Sequence, residues 1–143
     1  MARTLLRVIV AGSRTVKDYL YVRDRLLTFV RDHPDCEIVW VSGMAAEGPD
    51  DMAYHFARWD MPGQWVEMAA DWDSYGKSAG YIRNAEMAKL ADELLLFWDG
   101  RSNGSRHMRE TMNKQGKPVT THVLDVTTSE GDFEIFDFRT IAL

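Results

Sequence analysis

Five short apolar runs alternate along the chain with stretches of helical periodicity. Leu5–Val10 (LLRVIV) stops at Ala11-Gly12-Ser13, and Glu37–Val41 (EIVWV) stops at Ser42-Gly43. Gln64–Met68 follows a Pro62-Gly63 turn, Glu93–Trp98 (ELLLFW) closes at Asp99-Gly100, and Pro118–Val123 is the fifth run. Runs this short, rich in β-branched and aromatic residues and bounded by turn formers, read as buried strands. Between the first two, Asp18–Arg31 sets Leu20, Leu26, Leu27 and Val30 at helical spacing. Pro49 suits the first position of a helix striped by Met52, Ala53, Phe56 and Ala57. A helix of about ten residues is expected from Tyr81, and another over Asn103–Gln115, ended by Gly116. Phe133–Phe138 alternates aromatic and acidic residues, as a half-exposed edge strand does. Strands and helices in this alternation predict a doubly wound α/β fold: a mainly parallel, five-stranded sheet with helices on both faces and a C-terminal edge strand.

With 143 residues the chain has the length of one domain, 1–143, with its core over 5–124 and an acidic segment over 125–143. No apolar run approaches the ~20 residues of a membrane helix. The opening residues MARTLL lead directly into a strand pattern without the apolar region of a secretory leader, so a cytoplasmic address is expected. One cysteine, Cys36, forms no internal disulfide, and four dispersed histidines offer no metal-ligand spacing. Of the net charge of −5, the segment from Asp125 onward carries −4, which leaves the first 124 residues at −1. That balance argues against a polybasic nucleic-acid face and leaves room for a small anion held by a few local donors.

In open α/β sheets, ligands bind beyond the carboxyl ends of the strands, where the strand order switches. Three of those ends carry Gly/Ser turns: Gly12-Ser13-Arg14, Ser42-Gly43, and Gly100 with Ser102-Asn103-Gly104-Ser105. Glycine admits close backbone approach, and helix N-termini offer unpaired N–H groups, so these turns suit phosphate. Arg14 adds a guanidinium fork for phosphate or carboxylate. Neither the dinucleotide-binding glycine fingerprint nor a P-loop is present. Trp72 and Tyr75 lie in the polar stretch Ala70–Gly80 and offer flat faces for a base. Asp71 and Asp73 are candidates for an acid/base pair or for holding a hydroxylated sugar. His107 is a candidate general acid, and His55 reads as structural.

Taken in order, Gly12-Ser13-Arg14, Ser42-Gly43-Met44-Ala45 with Glu47-Gly48-Pro49-Asp50, Ala70-Asp71-Trp72 with Tyr75-Gly76-Lys77, Arg83-Asn84, and Asp99-Gly100 with Ser102-Asn103-Gly104-Ser105 resemble the SLOG superfamily. The likeness is greatest to its YspA-like, YpsA-related branch and runs from about Leu5 to Val119. The resemblance implies a Rossmann-like domain that binds a nucleotide or nucleotide-derived molecule, often as a homo-oligomer. It places Gly12, Ser13 and Arg14 in a phosphate-side turn, and Ser42, Gly43, Met44, Glu47 and Asp50 in a second ligand loop. It sets Arg83 and Asn84 facing the pocket from the start of a helix. Gly100, Ser102, Asn103, Gly104 and Ser105 correspond to a Gly-Gly-x-Gly-Thr phosphate loop, with Arg101 in place of its second glycine and Ser105 in place of threonine.

The superfamily's phosphoribohydrolases carry a glutamate three residues after that threonine, and here the position holds Met108. Glu110 lies two residues further on, ~200° around the helix, and should face elsewhere. The expectation is therefore a nucleotide-binding module, a sensor or sequestering protein, with no metal site and no cofactor assigned beyond the nucleotide-type ligand itself. The alternative is a hydrolase of an N-glycosidic or phosphate bond, using Asp71, Asp50 or Glu47. Single-stranded DNA binding, by analogy to the superfamily's DNA-processing protein A, is disfavoured by the near-neutral core.

Overall fold

A computed structural model describes residues 3–45, 48–61 and 63–124, together with the backbone of 137–142. Strand β1 (Thr4–Gly12) pairs in parallel with β2 (Cys36–Ser42) on one side and β4 (Glu93–Trp98) on the other. β2 pairs with β3 (Gln64–Glu67), and β4 with β5 (Val119–Leu124), both parallel. A sixth strand, β6 (Asp137–Ala142), closes the β5 edge antiparallel, giving the order β3-β2-β1-β4-β5-β6. This is the Rossmann-like doubly wound order, and its switch point lies between β1 and β4.

Strand residues point alternately to the two faces, so one sheet carries two cores. On one face Val8, Val10, Trp40, Leu95 and Phe97 pack against α1 (Tyr19–Asp32) and α2 (Pro49–His55) through Val22, Leu26, Phe29, Met52 and Ala53. On the other, Ile9, Val41, Leu94, Leu96 and Trp98 meet Met87 and Ala88 of α4 (Ala79–Leu90) and Met108 and Met112 of α5 (Asn103–Lys114). Burial on both faces is why LLRVIV and ELLLFW are continuous apolar runs rather than alternating ones. The helix ends follow local chemistry. Asp18 caps α1 by accepting a hydrogen bond from Tyr21 N at 3.2 Å, and the His33 N–H returns to Val30 O at the other end. No helix among the described residues is long and apolar enough to cross a membrane.

The expected edge strand, Phe133–Phe138, falls for the most part on 133–136, which lie outside the described residues; the strand described at that edge is Asp137–Ala142. Its pairing sets Thr121 opposite Ile141, with an irregularity between Val123 and Leu124. Two expectations need correction. The helix from Pro49 does not run on regularly: Phe56–Asp60 widens into a π turn, with Met61 N bonded to Phe56 O at 2.9 Å. Tyr19 donates its hydroxyl hydrogen bond from α1 to Asp60 at the end of that turn.

The stretch Ala70–Gly80, expected to be a loop before a helix from Tyr81, is helical from Trp72 onward. α3 (Trp72–Tyr75) is one turn, a 3₁₀ turn spans Gly76–Ser78, and α4 begins at Ala79. Asp71 nucleates the run by accepting from Ser74 N at 3.1 Å.

Candidate functional site

β1 feeds its chain toward β2 and β4 feeds its chain toward β5, so the loops beyond their carboxyl ends diverge and leave a crevice. A cavity of about 410 Å³ occupies it, within the ~300–1,000 Å³ range of small-molecule sites. Gly12 and Ser13 form part of its wall. A Cβ on Gly12 would lie 1.9 Å from the carbonyl oxygen of Phe97, so only glycine lets β1 and β4 approach this closely here. The Ser13 N–H bonds to that same oxygen at 2.9 Å, and the Ser13 hydroxyl accepts from Asp99 N at 3.0 Å.

Asp99 organises the β4 side. Its carboxylate accepts from Arg101 N at 2.8 Å, Ser102 N at 2.9 Å and the Thr15 hydroxyl at 3.0 Å, and from the Ser102 hydroxyl. Burial works against its charge, but the N–H groups of Ser102 and Arg101 and the Thr15 and Ser102 hydroxyls outweigh it and hold the carboxyl at about 2. Ser102 is the N-cap residue of α5, yet its side chain is spent on Asp99 and makes no cap hydrogen bond. The first-turn N–H groups of α5 therefore keep no intrahelical partner. Gly104 and Ser105 of that turn line the cavity, where the helix dipole is positive.

The β2 side is built around Asp50. Ser42 is buried, and its hydroxyl accepts from Met44 N at 3.0 Å while donating to Asp50 O at 3.4 Å. Met44 takes the left-handed conformation, φ 60°, and the chain turns back so that Ala45 N donates to Asp50 Oδ2 at 3.3 Å. Asp50 is only 5% exposed and lines the cavity. Burial pushes its carboxyl up to about 6, against the Ala45 N–H and the charges of Arg83 and Arg14. Arg83 reaches in from α4 and donates from Nη1 to Gly43 O at 2.8 Å. Its guanidinium lies against the Gly43 backbone, where a Cβ would be 2.8 Å from Cζ. Burial lowers the Arg83 pKa, opposed by Asp50, and Arg83 Nε is buried without a hydrogen-bond partner.

The linkage for Asp50 has a definite sign. Its folded pKa lies above the ordinary 3.8, so its contribution to stability is fully present below about pH 4 and is lost as pH rises through about 6. Asp50→Asn removes the ionisation, and at pH 8 this variant is expected to be more stable than the parent by about 1–3 kcal/mol. The gap should close toward pH 4. Thermal melts at the two pH values check this, and a variant less stable than the parent at pH 8 would contradict it.

Trp72 and Tyr81 stand at the rim. Trp72 is 53% exposed, and its Cη2 lies 3.5 Å from where a Gly80 Cβ would sit. The Tyr81 ring tilts against His107 at 4.4 Å. Because α4 starts at Ala79, Arg83 and Asn84 sit in its second turn, not at its N-terminus as expected. Asn84 is buried and ties α4 to α5, donating to Gly104 O at 3.3 Å and lying 3.2 Å from His107 Nδ1.

The cavity thus brings together Gly12, Ser13, Arg14, Asp50, Trp72, Arg83, Asn84, Ser102, Gly104 and Ser105. Ser42, Gly43 and Met44 do not line it; they shape the β2 loop. Asp71 caps α3 and Asn103 accepts from Arg106 Nη1, so both serve local turns outside the cavity. Tyr75 is exposed and Gly100 is a positive-φ turn residue, and neither lines it. Glu47 lies outside the described residues. Thr15, Lys77, Tyr81, Met87 and Met108 line the cavity without having been singled out as ligand residues.

Over 119 residues the chain is 39% identical to the Gene 61 protein of Mycobacterium phage D29, an overlap of 79% of this chain and 93% of that protein. The chain belongs to the family of that phage protein. No family model matches it, and no solved structure matches it. The name Gene 61 protein states no activity, so the chemistry available to this family member is that of the cavity. An uncapped helix N-terminus and three cations, Arg14, Lys77 and Arg83, face a single described carboxylate, Asp50, beneath an aromatic rim. Met108 is buried in the cavity wall, and Glu110 is exposed.

Proposed function

We propose that this Gene 61 family protein binds a nucleotide or a nucleotide-derived molecule, as a sensor or sequestering module of SLOG type. One observation carries the reading: a ligand-sized cavity at the strand-order switch places unpaired α5 N–H groups, Arg14 and the Trp72 rim around one space. The first turn of α5 and Arg14 hold the phosphate, and Trp72 with Tyr81 covers the base. The homo-oligomer and the cytoplasmic setting implied by the resemblance and the composition belong to the same proposal. The hydrolytic alternative has Asp50 as its one described carboxylate in the cavity, since Asp71 is engaged in capping α3.

Trp72 supplies the test. A nucleotide closing under its ring should quench tryptophan fluorescence, and Trp72→Phe should abolish most of that response although the other four tryptophans remain. Titration with a panel of nucleoside monophosphates, dinucleotides and cyclic nucleotides checks it. If Trp72→Phe responds as the parent does, the base is not at this rim.

A further inference from the structure

The cavity is electrically lopsided, and the lopsidedness says which part of a ligand goes where. Its β4 end offers the first-turn N–H groups of α5 as donors, and no described carboxylate lines it there. Its β2 end offers an acceptor, the Asp50 carboxylate, which no side chain neutralises by direct contact. Among the described residues Asp50 closes no salt bridge. Its carboxylate accepts from the Ala45 N–H at 3.3 Å and from its own backbone N–H, with the charges of Arg83 and Arg14 nearby, while Arg83 donates to Gly43 O. β1 lies between β2 and β4, and adjacent strands are ~4.8 Å apart, so the two ends are separated by roughly 10 Å. One nucleotide spans that distance.

A phosphate is repelled by a carboxylate, and a base is better served by the aromatic rim, so the group left for Asp50 is the sugar. We propose that Asp50 is a specificity residue that accepts a hydrogen bond from a ribose hydroxyl and makes this site select ribonucleotides over deoxyribonucleotides. The inference rests on the nucleotide reading above. Above pH 6 the buried carboxylate is an acceptor only, and it needs a donor from the ligand once water is displaced. A 2′-deoxy or 3′-deoxy sugar, whichever removes the facing hydroxyl, leaves the cavity-facing lone pairs of that carboxylate without a donor beyond the Ala45 and Asp50 N–H groups. A site built to bond a hydroxyl rejects the analogue lacking it far more strongly than an apolar pocket rejects a missing methylene. Asp50 also disfavours a second phosphate at the β2 end, which limits the ligand to one charged terminus.

Calorimetry at pH 7.5 with the four 5′-ribonucleoside monophosphates and their 2′-deoxy and 3′-deoxy counterparts tests the proposal. The parent protein should prefer the ribonucleotide by about tenfold to a hundredfold, the range typical for a hydrogen bond to a charged group. Asp50→Asn and Asp50→Ala should bring that ratio to within about threefold, mainly by weakening the ribonucleotide. The asparagine variant keeps the shape of the side chain, so a result does not hang on the folding of the alanine variant. A parent that binds ribo and both deoxy forms equally, or variants that keep its preference, would overturn the role of Asp50 while leaving nucleotide binding in place. A parent that binds none of the twelve monophosphates would overturn both.

Discussion

Gly12→Ala should cost about 2–6 kcal/mol of folding stability, a large share of the ~5–15 kcal/mol that holds a domain together. The added methyl would sit 1.9 Å from the Phe97 carbonyl oxygen, 2.8 Å from the Phe97 carbonyl carbon and 2.8 Å from Pro49 Cγ. Two of these atoms are backbone of β4 and cannot swing aside as a side-chain tip does. Relief requires β1 and β4 to part at their register pair Gly12–Phe97, which breaks the Ser13 N–H bond to Phe97 O. Overpacking of ~1–3 kcal/mol and an unmade buried hydrogen bond of ~1–3 kcal/mol then add. The melting temperature is expected to fall by ~10–20 °C. Gly104→Ala is the control, because a Cβ there meets nothing within 4 Å. Its stability should stay near that of the parent while the added methyl crowds the proposed phosphate position. A Gly12→Ala protein melting within a few degrees of the parent would contradict this account of the cavity wall.

Arg14→Ala should weaken nucleotide binding by about 2–4 kcal/mol, roughly 30-fold to 1,000-fold in Kd. Arg14 is exposed, lines the cavity and closes no salt bridge among the described residues, so its removal should leave melting unchanged. Loss of affinity without loss of stability is the signature of a ligand-facing charge. Arg14→Lys should fall between the two, since lysine keeps the charge and loses the planar fork. Calorimetry against the best-binding nucleotide reads all three proteins, and an unchanged affinity in Arg14→Ala would remove it from the site.

Much of the fold was legible because hydrophobic periodicity and turn residues speak directly to backbone geometry. ELLLFW marks β4 to the residue, and Asp18 and Pro49 mark helix starts. What the sequence hid is short or depends on partners. One turn of helix at Trp72–Tyr75 is too brief to show a period, and missing it displaced the start of α4 from Ala79 to Tyr81. That displacement concealed Lys77 and Tyr81 as lining residues.

Acids were the hardest to sort. Asp50 and Asp71 look alike in a string of letters. Only packing shows one buried beside Ala45 N and the other accepting from Ser74 N at the surface. Asp99 carried a signal that was available, an aspartate two and three residues before N–H groups it can bond, Arg101 and Ser102. Its tie to Thr15, across 84 positions of chain, carried none.

In the proposed complex a phosphate rests on the first turn of α5 at the switch point. Amide chemical shifts of ¹⁵N-labelled protein test it, with the tightest-binding nucleotide of the panel compared with its dephosphorylated nucleoside. The Gly104 and Ser105 amides should move on addition of the nucleotide and stay in place with the nucleoside. A nucleotide that binds while those two amides remain unmoved would contradict it.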